Sequence, residues 1–121
     1  MGETLKHVLI VEDDTALASM MGMVLEAEGF ASTQVANGRE ALSTIDRLHP
    51  DLILLDMRMP VMDGWEFAAR YIRAHDHETP IVVITAAENA EQRAKEVEAA
   101  DWLAKPFDLT DLVALVTRYM Q

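Results

Sequence analysis

Four short apolar runs punctuate the chain, at residues 8–11, 52–55, 81–84 and, more weakly, 102–104. None alternates with polar residues, which suits strands covered on both faces rather than strands with one wet side. Between the runs, apolar residues recur at helical spacing. Leu17, Met20, Met21, Val24 and Leu25 make one such face, and Ala41, Leu42, Ile45 and Leu48 a second. Phe67, Ala68, Tyr71 and Ile72 make a third, Ala90, Ala94 and Val97 a short fourth, and Leu109, Leu112, Val113, Val116 and Met120 a fifth. A weak strand is expected at 33–35. Punctuation agrees with this division. Asp14 is placed to cap the first helix and Gly29 to end it. Asn37-Gly38 reads as a turn, His49-Pro50 stops the second helix, and Pro80 introduces the fourth strand.

The order is strand then helix, five times. Alternation of this kind implies a parallel sheet with helices on both faces, and right-handed crossovers leave the doubly wound open sheet as the expected α/β fold. With no linker and no low-complexity stretch, residues 1–121 read as one domain. In such sheets, function collects outside the carboxyl ends of the strands.

Composition narrows the possibilities. Half of the residues are hydrophobic, enough for a packed core. The absence of cysteine excludes disulfides and thiolate metal sites. The formal net charge of −11 disfavours direct binding to nucleic acid. The N-terminal apolar run is too short for a leader or a membrane span, so a cytoplasmic protein without membrane contact is expected.

The strand ends hold the chemistry. The first strand runs into Glu12-Asp13-Asp14, the third into Asp56, the fourth into Thr85, and the fifth stops just before Lys105. Asp14 serves as a helix cap, but Glu12, Asp13 and Asp56 would meet at one sheet edge. Two carboxylates about 4 Å apart repel by roughly 4 kcal/mol at an effective dielectric near 20, so three close pairs approach roughly 10 kcal/mol. That rivals the whole stability of a small domain, about 5–15 kcal/mol. A hard divalent cation relieves the conflict. Mg²⁺ suits a site with one or two direct carboxylates and room for a phosphate oxygen. An aspartate can take a phosphoryl group as a nucleophile, and the charge on the transferred group then needs neutralising. Mg²⁺, the Lys105 ammonium and the Thr85 hydroxyl match its three oxygens.

The stretches VLIVEDD, ANGREAL, DLILLDMRMPVMDG, IVVITA and WLAKPF, in that order, resemble the receiver domain of two-component response regulators over essentially the whole chain. The resemblance implies a (βα)5, flavodoxin-like sheet with strand order 2-1-3-4-5. It implies Asp56 as phosphoacceptor, Glu12 and Asp13 as the acidic pair, and the Arg58 backbone carbonyl as a further metal ligand. It also implies a catalytic Thr85 and Lys105, a cis Lys105–Pro106 peptide and a close backbone approach at Gly64. The phosphoryl group would come from a histidine kinase or histidine phosphotransfer protein, docking on the first helix near Met23. Thr85 and Trp102 would act as the switch, passing the signal to an output protein through Glu88, Glu91, Gln92 and Lys95.

Some positions depart from the family pattern. Trp102 replaces a smaller aromatic, the stretch from Thr85 to Lys105 is about two residues short, and Glu98 stands where glycine is common. Ala86 and Ala87 follow Thr85, and Arg58 adds a large cation at the rim. Three other readings compete. A Mg²⁺-dependent aspartyl phosphatase would carry a second acid two residues after the nucleophile, where this chain has Arg58. A flavodoxin would carry a hydroxyl- and glycine-rich first loop, where this chain has three acids. A degenerate receiver serving only as a docking module would lack part of the set, and here all five residues are present.

Overall fold

The computed structural model describes residues 5–121. It contains β1 (His7–Val11), α1 (Thr15–Ala27), β2 (Ala31–Val35), α2 (Gly38–Leu48), β3 (Leu52–Leu55), α3 (Gly64–His75), β4 (Ile81–Ala86), α4 (Ala90–Glu96), β5 (Asp101–Lys105) and α5 (Leu109–Tyr119). All paired strands are parallel, in the order β2-β1-β3-β4-β5. The expected doubly wound α/β sheet is therefore present.

The unbroken apolar runs divide their side chains between two cores. Leu9 and Val11 of β1 face a core that α2, α3 and α4 close with Ala41, Phe67, Tyr71 and Ala94. Val8 and Ile10 face the opposite core, closed by α1 and α5 through Met21, Leu25, Leu112 and Val116. Burial on both faces is why these strands show no alternation.

Several boundaries differ from the sequence reading. The second strand starts earlier, at Ala31, and β4 runs past Thr85 to Ala86. β5 spans Asp101–Lys105 and so includes Lys105. Asn37 and Gly38 are not a free turn: the Asn37 side chain caps α2 by accepting the Glu40 N–H, and Gly38 is the first helical residue. Asp14 caps α1 as expected, accepting from the Leu17 N–H at 3.1 Å. Gly29 follows α1 with φ +96°, where glycine is unstrained.

Met20 lies on the exposed side of α1, not on its buried stripe. The face toward the sheet is Ala18, Met21, Gly22 and Leu25. A Cβ added at Gly22 would stand 2.6 Å from Gln34 Nε2 and 3.2 Å from Ser32 Oγ. The helix thus approaches β2 at Gly22, and the large apolar Met20 turns away.

Candidate functional site

Two backbone hydrogen bonds carry the sheet one residue beyond its strands. The Glu12 N–H donates to Val35 O at 3.0 Å and the Asp56 N–H to Val11 O at 2.9 Å. They fix the two side chains at the carboxyl edge, where Glu12 is 4% and Asp56 7% exposed. Asp13, one residue on, is exposed. One carboxylate oxygen from each of Glu12, Asp13 and Asp56 falls within 4.8 Å of the others. Repulsion is partly offset by Lys105, whose Nζ donates to Glu12 Oε1 at 2.7 Å and lies 3.6 Å from Asp56 Oδ1. Its peptide to Pro106 is cis, as expected.

The charges are unevenly tolerated. Burial, then the Glu12 carboxylate, pushes the Asp56 carboxyl from 3.8 up to about 7, against the pull of Lys105 and of a hydrogen bond from the Arg58 backbone. For Lys105, burial favours the neutral amine, but the bond to Glu12 and the charges of Asp56 and Glu12 outweigh it and move the ammonium upward. Three acids against one ammonium leave an excess of two negative charges when all are ionised. The donor set is oxygen only and half open to solvent through Asp13. Those features fit a hard divalent cation.

The loop after β3 owes its path to one glycine. A Cβ at Gly64 would stand 2.8 Å from Asp56 O, Met57 Cα and Met57 Sδ. Its own N–H donates to Met57 O at 2.9 Å. The loop therefore folds back onto Asp56 and Met57, and α3 starts against them. Val61 in this loop takes φ +68°, unfavourable for a β-branched residue.

The other sequence-predicted residues lie on β4, on β5 and on the loop after β3. Thr85 is buried near the end of β4, paired with Ala104, and Ala86 pairs with Lys105. Arg58 is exposed at the rim, its guanidinium 5.8 Å from the centroid of the Trp65 ring. Trp102 pairs with Val83, deeper in the sheet than Thr85, and stands outward at 38% exposure. It lines a shallow groove with Glu88, Glu91, Gln92 and Lys95, the residues singled out as a patch. The short stretch after Thr85 becomes a single 3-10 turn, Ala87–Asn89, and a seven-residue α4. Glu98 has φ +56°, the left-handed backbone that makes glycine usual at such a position.

One cluster was missed. Trp65 of α3 donates its indole N–H to Glu96 of α4 at 2.8 Å, and Arg93 holds the same carboxylate. The i,i+3 spacing of Arg93 and Glu96 was visible, but nothing in the sequence linked them to Trp65.

The comparisons with known proteins place the chain in a family. The family described as response regulator receiver domain matches residues 8–117. The chain belongs to that family, whose own catalysis is confined to its phosphorylation and dephosphorylation. It is 35% identical over 119 residues to the regulatory protein AtoC of Escherichia coli, covering 97% of this chain and 26% of AtoC. It is 37% identical over 114 residues to the transcriptional regulatory protein PcoR of Escherichia coli, covering 93% of this chain and 50% of PcoR. The chain thus spans half or less of these relatives. Among solved structures it resembles the chemotaxis response regulator CheY4 of Vibrio cholerae, with TM-score 0.85, 33% identity and coverage of 96% and 99%. It also resembles the receiver domain of the Francisella response regulator 1452, with TM-score 0.86, 26% identity and coverage of 95% and 96%. The domain is a phosphoacceptor module of two-component signalling, and among its described residues no helix is long and apolar enough to cross a membrane.

Proposed function

We propose that Asp56 accepts the phosphoryl group and that Glu12, Asp13, Asp56 and the Arg58 backbone carbonyl would hold Mg²⁺ beside it. The observation that carries this reading is the meeting of three carboxylates within 4.8 Å, next to an ammonium bonded to Glu12. The cation would supply positive charge for a phosphoryl oxygen. An Asp56 carboxylate oxygen attacks the phosphorus of a histidine phosphoramidate, the P–N bond breaks, and the departing imidazole takes up a proton. Lys105 Nζ lies 3.6 Å from Asp56 Oδ1 and would neutralise a phosphate oxygen there, and Thr85 would offer a hydroxyl donor from β4. Hydride reduction of the labelled chain converts an acyl phosphate to the corresponding alcohol. Peptide mapping should find that conversion at Asp56 alone, and conversion at Glu12 or Asp13 instead would overturn the assignment.

The donor would be a histidine kinase or a histidine phosphotransfer protein, packing a helix on α1. Met23 there is 70% and Met20 44% exposed. Met20 continues into an apolar cavity of about 440 Å³ that also reaches Lys105, Pro106 and Phe107. Met23→Glu should slow transfer from the donor protein but leave labelling by acetyl phosphate intact. A loss of both would mean a folding defect and no docking role.

The output would leave through α4, β5 and α5. A phosphoryl oxygen draws the Thr85 hydroxyl inward by a charge-assisted hydrogen bond, and Trp102 turns into the space behind it. In a Trp65→Phe background, beryllofluoride should change Trp102 emission and Thr85→Ala should remove the change. Unchanged emission at confirmed occupancy would show Trp102 to be static.

A further inference from the structure

On the other side of the acceptor loop, one indole joins that loop to α4. Trp65, the second residue of α3, donates to Glu96 Oε1 at 2.8 Å. Glu96 also accepts from Arg93 at 2.8 Å through both oxygens and from Gln92 at 3.3 Å. Two guanidiniums face the same indole, Arg93 at 5.4 Å from its centroid and Arg58 at 5.8 Å. Arg58 is two residues beyond Asp56 on the loop that follows β3.

α4 depends on this arrangement. Glu96 is its last residue, where a carboxylate meets the negative end of the helix dipole. The Trp65 bond, then Arg93, offsets that charge and holds the Glu96 carboxyl down at about 2. The helix has only seven residues, and its N-cap Asn89 makes no side-chain cap bond. So short a helix draws its stability from neighbours rather than from its own backbone. Trp65 also stands between two cavities. One, of about 350 Å³, lies at the site rim beside Asp13 and Arg58. The other, of about 320 Å³, lies between α3 and α4 beside Ile72 and Val97.

The geometry points to a second exit for the signal. A phosphoryl group on Asp56 draws Arg58 off the Trp65 indole, Trp65 tilts into the rim cavity, and its N–H leaves Glu96 and loosens the end of α4. This rests on Asp56 being the acceptor. Among the described residues Arg58 forms no ion pair, so its departure breaks none. Lys105, the other cation at the site, is already bonded to Glu12. A cation on a half-buried aromatic face is held more weakly than a guanidinium paired in plane with a phosphoryl group. This path runs along α3 and does not require Thr85 or Trp102 to move.

Trp102→Phe leaves Trp65 as the only indole, since the chain has two. Beryllofluoride with Mg²⁺ is the probe, and fluorine NMR reports its occupancy. At saturation, Trp65 emission should shift and hydrogen exchange of the α4 amides should rise severalfold. The Trp65 shift should persist in Thr85→Ala at equal occupancy, where the Trp102 response is lost. In Trp65→Phe and, separately, in Glu96→Gln, α4 should exchange fast before the probe is added and gain little afterwards. An unmoved Trp65 signal at confirmed occupancy overturns the proposal alone. So does a full rise in α4 exchange in both variants, or loss of the Trp65 shift in Thr85→Ala. A wild-type chain that binds no beryllofluoride overturns the acceptor reading and this proposal with it.

Discussion

Incubation with acetyl phosphate and Mg²⁺ is expected to add one phosphoryl group to the wild-type chain and none to Asp56→Asn, as followed by intact-mass spectrometry. An amide offers no anionic oxygen to attack phosphorus, so the loss should be complete. The two supporting side chains should give graded losses. Lys105→Ala removes a full positive charge from a largely buried site and should slow labelling by about 10²-fold, the usual cost of deleting one preorganised charge-stabilising group. It also leaves Glu12, 4% exposed, without its 2.7 Å partner, so the variant should lose stability and must be compared at equal folded fraction. Thr85→Ala removes one neutral hydroxyl donor and should cost roughly 3–10-fold, matching a hydrogen bond worth about 1 kcal/mol. Chelation should suppress labelling at neutral pH, because burial and Glu12 then keep part of the Asp56 population protonated and unable to attack. Labelling that survives Asp56→Asn would end the assignment.

The candidate site was legible because it follows from topology. Once the apolar runs are read as parallel strands, Glu12, Asp13, Asp56, Thr85 and Lys105 fall at the carboxyl ends of the strands, while the strand order and the role of each residue came from the resemblance to receiver domains. β1 and β3 were legible because burial on both faces leaves an unmistakable run. β2 was poorly legible because Ala31–Val35 is an edge strand of small and polar residues, most of them half-buried. Met20 was misplaced for a different reason. Hydrophobic periodicity assumes that large apolar residues face the core, whereas α1 approaches β2 at Gly22. The Trp65–Glu96 contact was invisible because it spans 31 residues and depends on where a shortened α4 ends. Loop length shows in a sequence, but the partner that a shortened helix meets does not.

Without a divalent cation, the stability of the protein should fall as pH rises from about 4 to about 7, so far as Asp56 is concerned. Its carboxyl titrates near 3.8 when unfolded and near 7 when folded. Between these values the folded chain holds a proton that the unfolded chain has released, so each rise in pH favours unfolding. Below the window both states are protonated, and above it both are ionised, so the contribution is flat at each end. A shift of about three pKa units corresponds to roughly 4 kcal/mol at most, at 1.36 kcal/mol per unit. Other carboxylates slope the opposite way, so the informative quantity is a difference. Asp56→Asn should match the wild type near pH 4 and exceed it increasingly up to about pH 8, by roughly 10 °C in Tm for a chain of this size. Lys105 does not blur the window, since its ammonium is shifted upward from the ordinary lysine value and stays charged throughout. Saturating Mg²⁺ should raise the wild-type Tm above neutrality, by binding only the folded state, and so narrow the gap to the variant. Asp13→Ala should lose that Mg²⁺ response, and relief of repulsion should leave its metal-free form no less stable than wild type. A gap between Asp56→Asn and wild type that ignores pH, or an Asn variant less stable at pH 8, would show that Asp56 is not the strained acid of this cluster.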